Sequence, residues 1–168
     1  MRALASFVWL QVGWFACVLG PLRGVPWLGP AVVLVGLALH VARQEGRRRE
    51  LVVLAGAAAV GFAVDTALLR TGAIAIGGAS VSPLWLVALW PNFAATTGRD
   101  GSLQALARRP VLAALVGAVG GPAAYAGGAR LGAIALGAST AAALAAVAVA
   151  WTLFVPALFA FRKWTAAP

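Results

Sequence analysis

The chain has 168 residues, 62% of them hydrophobic and only 10% charged, and a mean hydropathy of +0.94. A soluble domain needs far more polar surface than this, and the apolar residues fall in blocks of roughly 20, about the thickness of a bilayer. The net charge of +9 does not point to a nucleic-acid partner: no basic stretch is interleaved with stacking aromatics, and membrane proteins gather Lys and Arg in cytoplasmic loops.

The N-terminal apolar run imitates a signal peptide. Gln11 interrupts it, however, no small-x-small cleavage site follows, and Trp14-Phe15-Ala16-Cys17 is a poor lipoprotein box. It reads as a retained first helix over about residues 4–19, stopped by Gly20-Pro21. Cys17 is the sole cysteine, which excludes an intramolecular disulfide and a cysteine-based zinc site. A second helix over about residues 28–41 ends in the most polar stretch of the chain, Arg43-Gln44-Glu45-Gly46-Arg47-Arg48-Arg49-Glu50. The third covers about residues 51–69, followed by a Gly-rich connection, 71–82, too short and broken to span. The fourth covers about residues 83–97 and holds Pro91, which would free the Val87 carbonyl and kink the helix. After a loop at 98–109 comes a fifth helix over about 111–126, with Gly120-Gly121-Pro122 in its middle. The last apolar region, 131–161, is too long for one simple span of a core about 30 Å thick. Its spanning part is placed at 139–161, leaving 127–137 as a loop or a partly inserted segment.

Charge tests this layout. With the N-terminus inside, the inner face carries Arg2, Arg43, Arg47, Arg48, Arg49, Arg99, Arg108, Arg109, Arg162 and Lys163, and the outer face Arg23, Arg70 and Arg130. Shifting the pattern by one helix destroys the alternation. The expected fold is therefore all-α: one integral-membrane domain, residues 1–168, built as a polytopic bundle of six transmembrane helices with both termini cytoplasmic.

Few residues offer chemistry. Asp65 is the only carboxylate within an expected span, and a charge there costs at least about 2.5–3.5 kcal/mol on insertion. It should face the bundle interior, near enough to the outer side for Arg70 or Arg130 to reach it. It reads either as a proton or cation site or as a structural ion pair or interhelical hydrogen bond. Gln11 and Asn92 lie at comparable depths in opposite-running helices, where a Gln–Asn contact would suit a helix interface and a polar cavity is the alternative. His40 is the only histidine, so multi-histidine haem and di-metal sites are excluded; it reads as an interfacial residue beside the arginine loop. Glu45, Glu50 and Asp100 read as solvated charges or local ion pairs. Trp9, Trp27 and Trp164 suit the membrane interface, whereas Trp14, Trp85, Trp90 and Trp151 are central and either pack or line an apolar, lipid-sized cavity. There is no Ser-His-Asp arrangement, metal-ligand cluster or phosphate loop, and no cofactor or metal is expected.

Several segments form an ordered set: Gln11-x-Gly13-Trp14-Phe15 with Gly20, Asp65, Pro83-Leu84-Trp85-Leu86, Leu89-Trp90 with Phe93-Ala94, and Gly120-x-Pro122-x-x-Tyr125-x-x-Gly128-Ala129-Arg130-Leu131-Gly132-Ala133. Together, over nearly the whole chain, they resemble a family of small bacterial inner-membrane proteins of unknown function, DUF2878. The resemblance implies a bacterial inner membrane and a loose association with fatty-acid modification and envelope stress, but no activity, substrate or cofactor. Three readings follow, in order. The first is an accessory protein of lipid or envelope homeostasis, whose partners are the bilayer, a lipid or fatty acyl ligand, or a membrane enzyme. The second is a small transporter coupled through Asp65. The third is a lipid-acting enzyme, which would group Asp65 with Tyr125 or Arg130. The candidate binding or coupling residues are Asp65, Gln11, Asn92, Trp85, Trp90, Tyr125 and Arg130.

Overall fold

The computed structural model describes residues 2–165, without the side chain of Arg2, so that one member of the inner-face charge count lies outside the described residues. The chain is helical almost throughout: α1 (Arg2–Leu22), α2 (Leu28–Ala42), α3 (Arg47–Arg70), α4 (Leu84–Val87), α5 (Leu89–Ala95), α6 (Pro110–Leu131) and α7 (Thr140–Trp164). α1, α3, α6 and α7 are long and apolar enough to cross a membrane. α2, with 15 residues, is only about 22 Å long, and the α4–α5 unit is shorter still.

The helix ends follow local chemistry. α1 closes in a turn in which the Val25 N–H donates to the Gly20 carbonyl at 2.9 Å, with Gly24 supplying a positive φ. α6 begins on Pro110, whose missing N–H is harmless in a first turn, and ends at Gly132 in the left-handed conformation. The Ser139 hydroxyl caps α7 by accepting from the Ala142 N–H at 3.3 Å.

The fourth helix divides at Ala88, in line with the expected release of the Val87 carbonyl by Pro91. One expectation needs correction. The fifth runs on to Leu131, so that residues 127–131 are helix rather than loop. What remains of the connection forms a strand, β2 (Ala135–Leu136), paired antiparallel with β1 (Ile74–Ala75) from the Gly-rich segment after α3. The Gly137 N–H adds a bond to the Ala73 carbonyl at 2.9 Å. Two stretches expected as separate loops thus tie α3 and α6 together at one end.

Side-chain bonds identify the opposite end. Ser102 N–H donates to the Ser6 hydroxyl at 3.3 Å, and Arg49 donates to the Arg162 carbonyl at 2.8 Å. The chain therefore runs end to end six times, the short α2 and α4–α5 included. Small residues set how closely the helices approach. α6 and α7 form the most extensive pair, because a Cβ on Gly117 or Gly121 would overlap the backbone or indole of Trp151. Likewise Gly61 lets the Trp90 ring lie flat against α3.

Candidate functional site

Asp65 occupies the buried stripe of α3, shared with Glu50, Val53, Leu54, Ala57, Gly61 and Leu68, the spacing of one helix face. It is 0% exposed. The Trp90 indole N–H from α5 donates to Oδ2 at 2.8 Å, and the Tyr125 hydroxyl from α6 donates to Oδ1. At the next residue, the Ser82 N–H donates to the Thr66 hydroxyl at 3.1 Å. Neutral donors from two other helices thus hold the carboxylate. Of the alternatives for Asp65 the interhelical hydrogen bond is the one present and the arginine pair is not: Arg70 and Arg130 are both exposed, and none of the ion pairs among the described residues involves Asp65. A carboxylate fixed this way orients an indole and a phenol, and Tyr125 and Trp90 connect it to open space.

That space is an apolar cleft of about 490 Å³ between α1 and α6, floored by α4 and α5. All four central tryptophans, Trp14, Trp85, Trp90 and Trp151, line it together with Tyr125 and Gln11. Its back wall is an aromatic cluster in which Trp90 and Trp151 stack with centroids 4.9 Å apart and Phe93 meets Trp151 edge-on at 5.0 Å. The rims are exposed, Phe7 and Gln11 on α1 and Gly120 and Ala123 on α6, so the cleft opens sideways. From Phe7 to Val18 it follows α1 for about 16 Å.

The other expected site residues lie apart from this group. Asn92 does bind α1, but it donates to the Leu10 carbonyl at 3.1 Å and not to Gln11, whose side chain stays exposed. Gly13 makes the approach possible, since any Cβ there would strike the Asn92 amide. Arg130 stands at the exposed end of α6. Trp27 and Trp164 are exposed, whereas Trp9 is half-buried against Gly36.

A second polar cluster centres on Glu50, which forms an ion pair, one of its two expected states, but with a partner distant in sequence. Glu50 is not solvated: it is 6% exposed, because α3 starts at Arg47 and places Glu50 one turn inside the bundle. Arg162 of α7 forks onto both its oxygens at 2.6 and 2.8 Å, and His40 Nε2 lies 2.9 Å from Oε1. The same guanidinium donates to the Thr97 hydroxyl and the Ala94 carbonyl, each at 2.8 Å. The available signal was periodicity, since Glu50 begins the stripe that also holds Asp65. Glu45 instead pairs with Arg99 in the open, at 3.5 Å. Among the described residues no three His, Cys, Asp or Glu side chains form a metal-binding group.

The sequence profile of the family described as protein of unknown function (DUF2878) matches residues 3–157. No curated protein and no solved structure matches the chain. With nearly its whole length covered by that profile, the chain belongs to this family.

Proposed function

We propose that this DUF2878 member is a polytopic protein of a bacterial inner membrane that holds a lipid acyl chain in the cleft between α1 and α6, acting as an accessory component of lipid or envelope homeostasis. The observation that carries this reading is the cleft itself: apolar, walled by aromatic rings, and open sideways. With four helices long and apolar enough to span, the medium at such a lateral opening is hydrocarbon. An apolar slot about 16 Å long takes up an extended chain against its aromatic walls.

Gly120 gives a clean test, because a Cβ there meets nothing within 4 Å. A Gly120→Phe side chain therefore starts from open space at the rim and can project into the cleft. In vesicles containing phosphatidylcholine brominated along its acyl chains, tryptophan fluorescence of the wild type should be quenched more strongly than that of Gly120→Phe. Tryptophans on the outer surface contribute equally to both, so equal quenching would refute acyl occupancy. In a deletion strain, the wild type and not Gly120→Phe should restore the lipid profile.

The second reading, a transporter coupled through Asp65, is favoured by one observation: Tyr125 links the buried carboxylate to the cleft wall. Asp65→Asn separates the two readings. The amide oxygen still accepts from Trp90, and the amide nitrogen can donate to the Tyr125 oxygen, so folding should survive with a loss of no more than about 1 kcal/mol. A restored lipid profile with this variant supports the accessory role, whereas a folded but inactive variant supports coupling.

A further inference from the structure

A second recess, of about 610 Å³, lies on another face of α1, between that helix, α2 and α5. Leu10 borders both spaces, but the recess is formed by Ser6 and Trp9 where the cleft uses Phe7, Gln11 and Trp14. It extends from Arg43 and His40 at the arginine-rich end to Gly36 on α2, a depth of about 10 Å. At its mouth, Arg43, among the described residues, makes only a long bond to the Leu39 carbonyl, 3.4 Å, which leaves most of its fork of donors open. Asp100 shares the rim and is engaged in an interaction of its own.

Two residues that line the recess each carry a buried polar atom without a partner. The Trp9 indole N–H and the Asn92 Oδ1 are both buried with no hydrogen-bond partner, although Asn92 is 1% exposed and its amide nitrogen is bonded. One is a donor and the other an acceptor, and buried groups of this kind normally find partners. A hydroxyl has the chemistry to serve each, accepting from the indole or donating to the amide oxygen. An arginine at the mouth adds the forked, charge-assisted donor that suits phosphate.

We propose that this recess binds a hydroxyl-bearing phosphoester head, such as phosphoglycerol, with its phosphate on Arg43 and a hydroxyl between Trp9 and Asn92. The site is independent of the acyl cleft, so failure of the Gly120→Phe test leaves it standing. Its source is either a membrane phospholipid or a soluble polyol phosphate.

The full chain in detergent micelles can be titrated with dihexanoyl phosphatidylglycerol, dihexanoyl phosphatidylcholine (which has the phosphate but no hydroxyl) and glycerol 3-phosphate. Phosphatidylglycerol should bind at least about tenfold more tightly than phosphatidylcholine, a margin typical of a charge-assisted site with a matched hydrogen bond. Arg43→Gln should weaken it about tenfold, and Trp9→Phe, which keeps a ring but loses the N–H, should erase most of the preference over phosphatidylcholine. Arg109→Gln, outside the recess, should change nothing. Glycerol 3-phosphate binding as tightly as phosphatidylglycerol assigns the site to a soluble ligand, and much weaker binding assigns it to lipid; either supports the chemistry. Equal affinity for both phospholipids, an unaltered preference in Trp9→Phe, or an equal loss in Arg109→Gln overturns the proposal. Thermal transitions of the ligand-free variants matching the wild type show that each loss is a binding effect.

Discussion

Glu50 and Asp65 share one buried stripe of α3 and are satisfied in different ways: Glu50 by a guanidinium and an imidazole, Asp65 by an indole and a phenol. The stripe was legible in the sequence, since the spacing that buries Val53, Leu54 and Ala57 also buries both carboxylates. Their partners were not, because Trp90, Tyr125 and Arg162 reach α3 from three other helices and only the packed bundle decides which arrive. Arginines flanking Glu50 disguised it as a loop residue. The difference in pairing has an energetic consequence. Arg162→Met would leave Glu50 buried against His40 alone, with the Thr97 hydroxyl and Ala94 carbonyl also abandoned, and should destabilise the bundle by about 3–5 kcal/mol. Glu50→Leu should be similarly damaging because it strands the guanidinium. The double variant should cost clearly less than the two single losses combined, since apolar residues can replace a complete pair. Detergent-titrated unfolding followed by tryptophan fluorescence checks this, and additive losses would show that the pair acts as two independent surface charges.

Glycine spacing determines how the elements pack, and here the sequence misled in an instructive way. Gly127 and Gly128 suggested that α6 ended near Ala126, because glycine is a poor helix former. The helix nevertheless continues to Leu131, with Gly127 close to the Trp14 ring, where a Cβ would lie 3.3 Å away. In hydrocarbon an unwound turn leaves backbone groups unsatisfied, which outweighs propensity. The β1–β2 pairing was invisible for the opposite reason: two-residue strands in Gly-rich segments carry no periodic pattern. α1, α3 and α7, by contrast, were located to within about a turn by apolar runs and their Gly, Pro and Ser boundaries. Not every glycine on α6 has the same role. A Cβ on Gly117 would overlap the Trp151 backbone, which cannot rotate away, whereas Gly120 faces open space. Gly117→Ala should therefore force α6 and α7 apart and destabilise the fold by about 1–3 kcal/mol. Gly120→Ala should be neutral or stabilising, by up to about 1 kcal/mol from helix propensity. Unfolding midpoints measured side by side should rank Gly120→Ala at or above wild type and Gly117→Ala below it; the reverse order would contradict the α6–α7 packing.

At the scale of the whole molecule, the fold sorts charge by end. Arg43, Arg47, Arg48, Arg49, Arg99, Arg108, Arg109, Arg162 and Lys163 fall at the end tied together by Glu50–Arg162 and Ser6–Ser102, while Arg23, Arg70 and Arg130 fall at the end tied by β1 and β2. This asymmetry was readable in the sequence, but the sequence treated all six helices as equivalent spans. α2 and the α4–α5 unit are too short to cross a core about 30 Å thick as straight helices, yet each carries the chain from one end to the other. The α4–α5 unit does so by extending its flanks, with Ser82 bonded to Thr66 near one end and Thr97 bonded to Arg162 near the other. Loops rich in Lys and Arg remain in the cytoplasm, so an orientation follows that depends on both short elements passing through. Gln44 should then lie in the cytoplasm and Ala79 outside. Cys17 is 0% exposed and should not react, so single cysteines at either position can be labelled in the otherwise unaltered chain. A membrane-impermeant maleimide added to intact spheroplasts should label Ala79→Cys and spare Gln44→Cys until the membrane is opened. Labelling of both sites from outside would mean that α3 does not cross, while labelling of Gln44→Cys alone would invert the whole molecule and place its basic end on the side that the positive-inside rule disfavours.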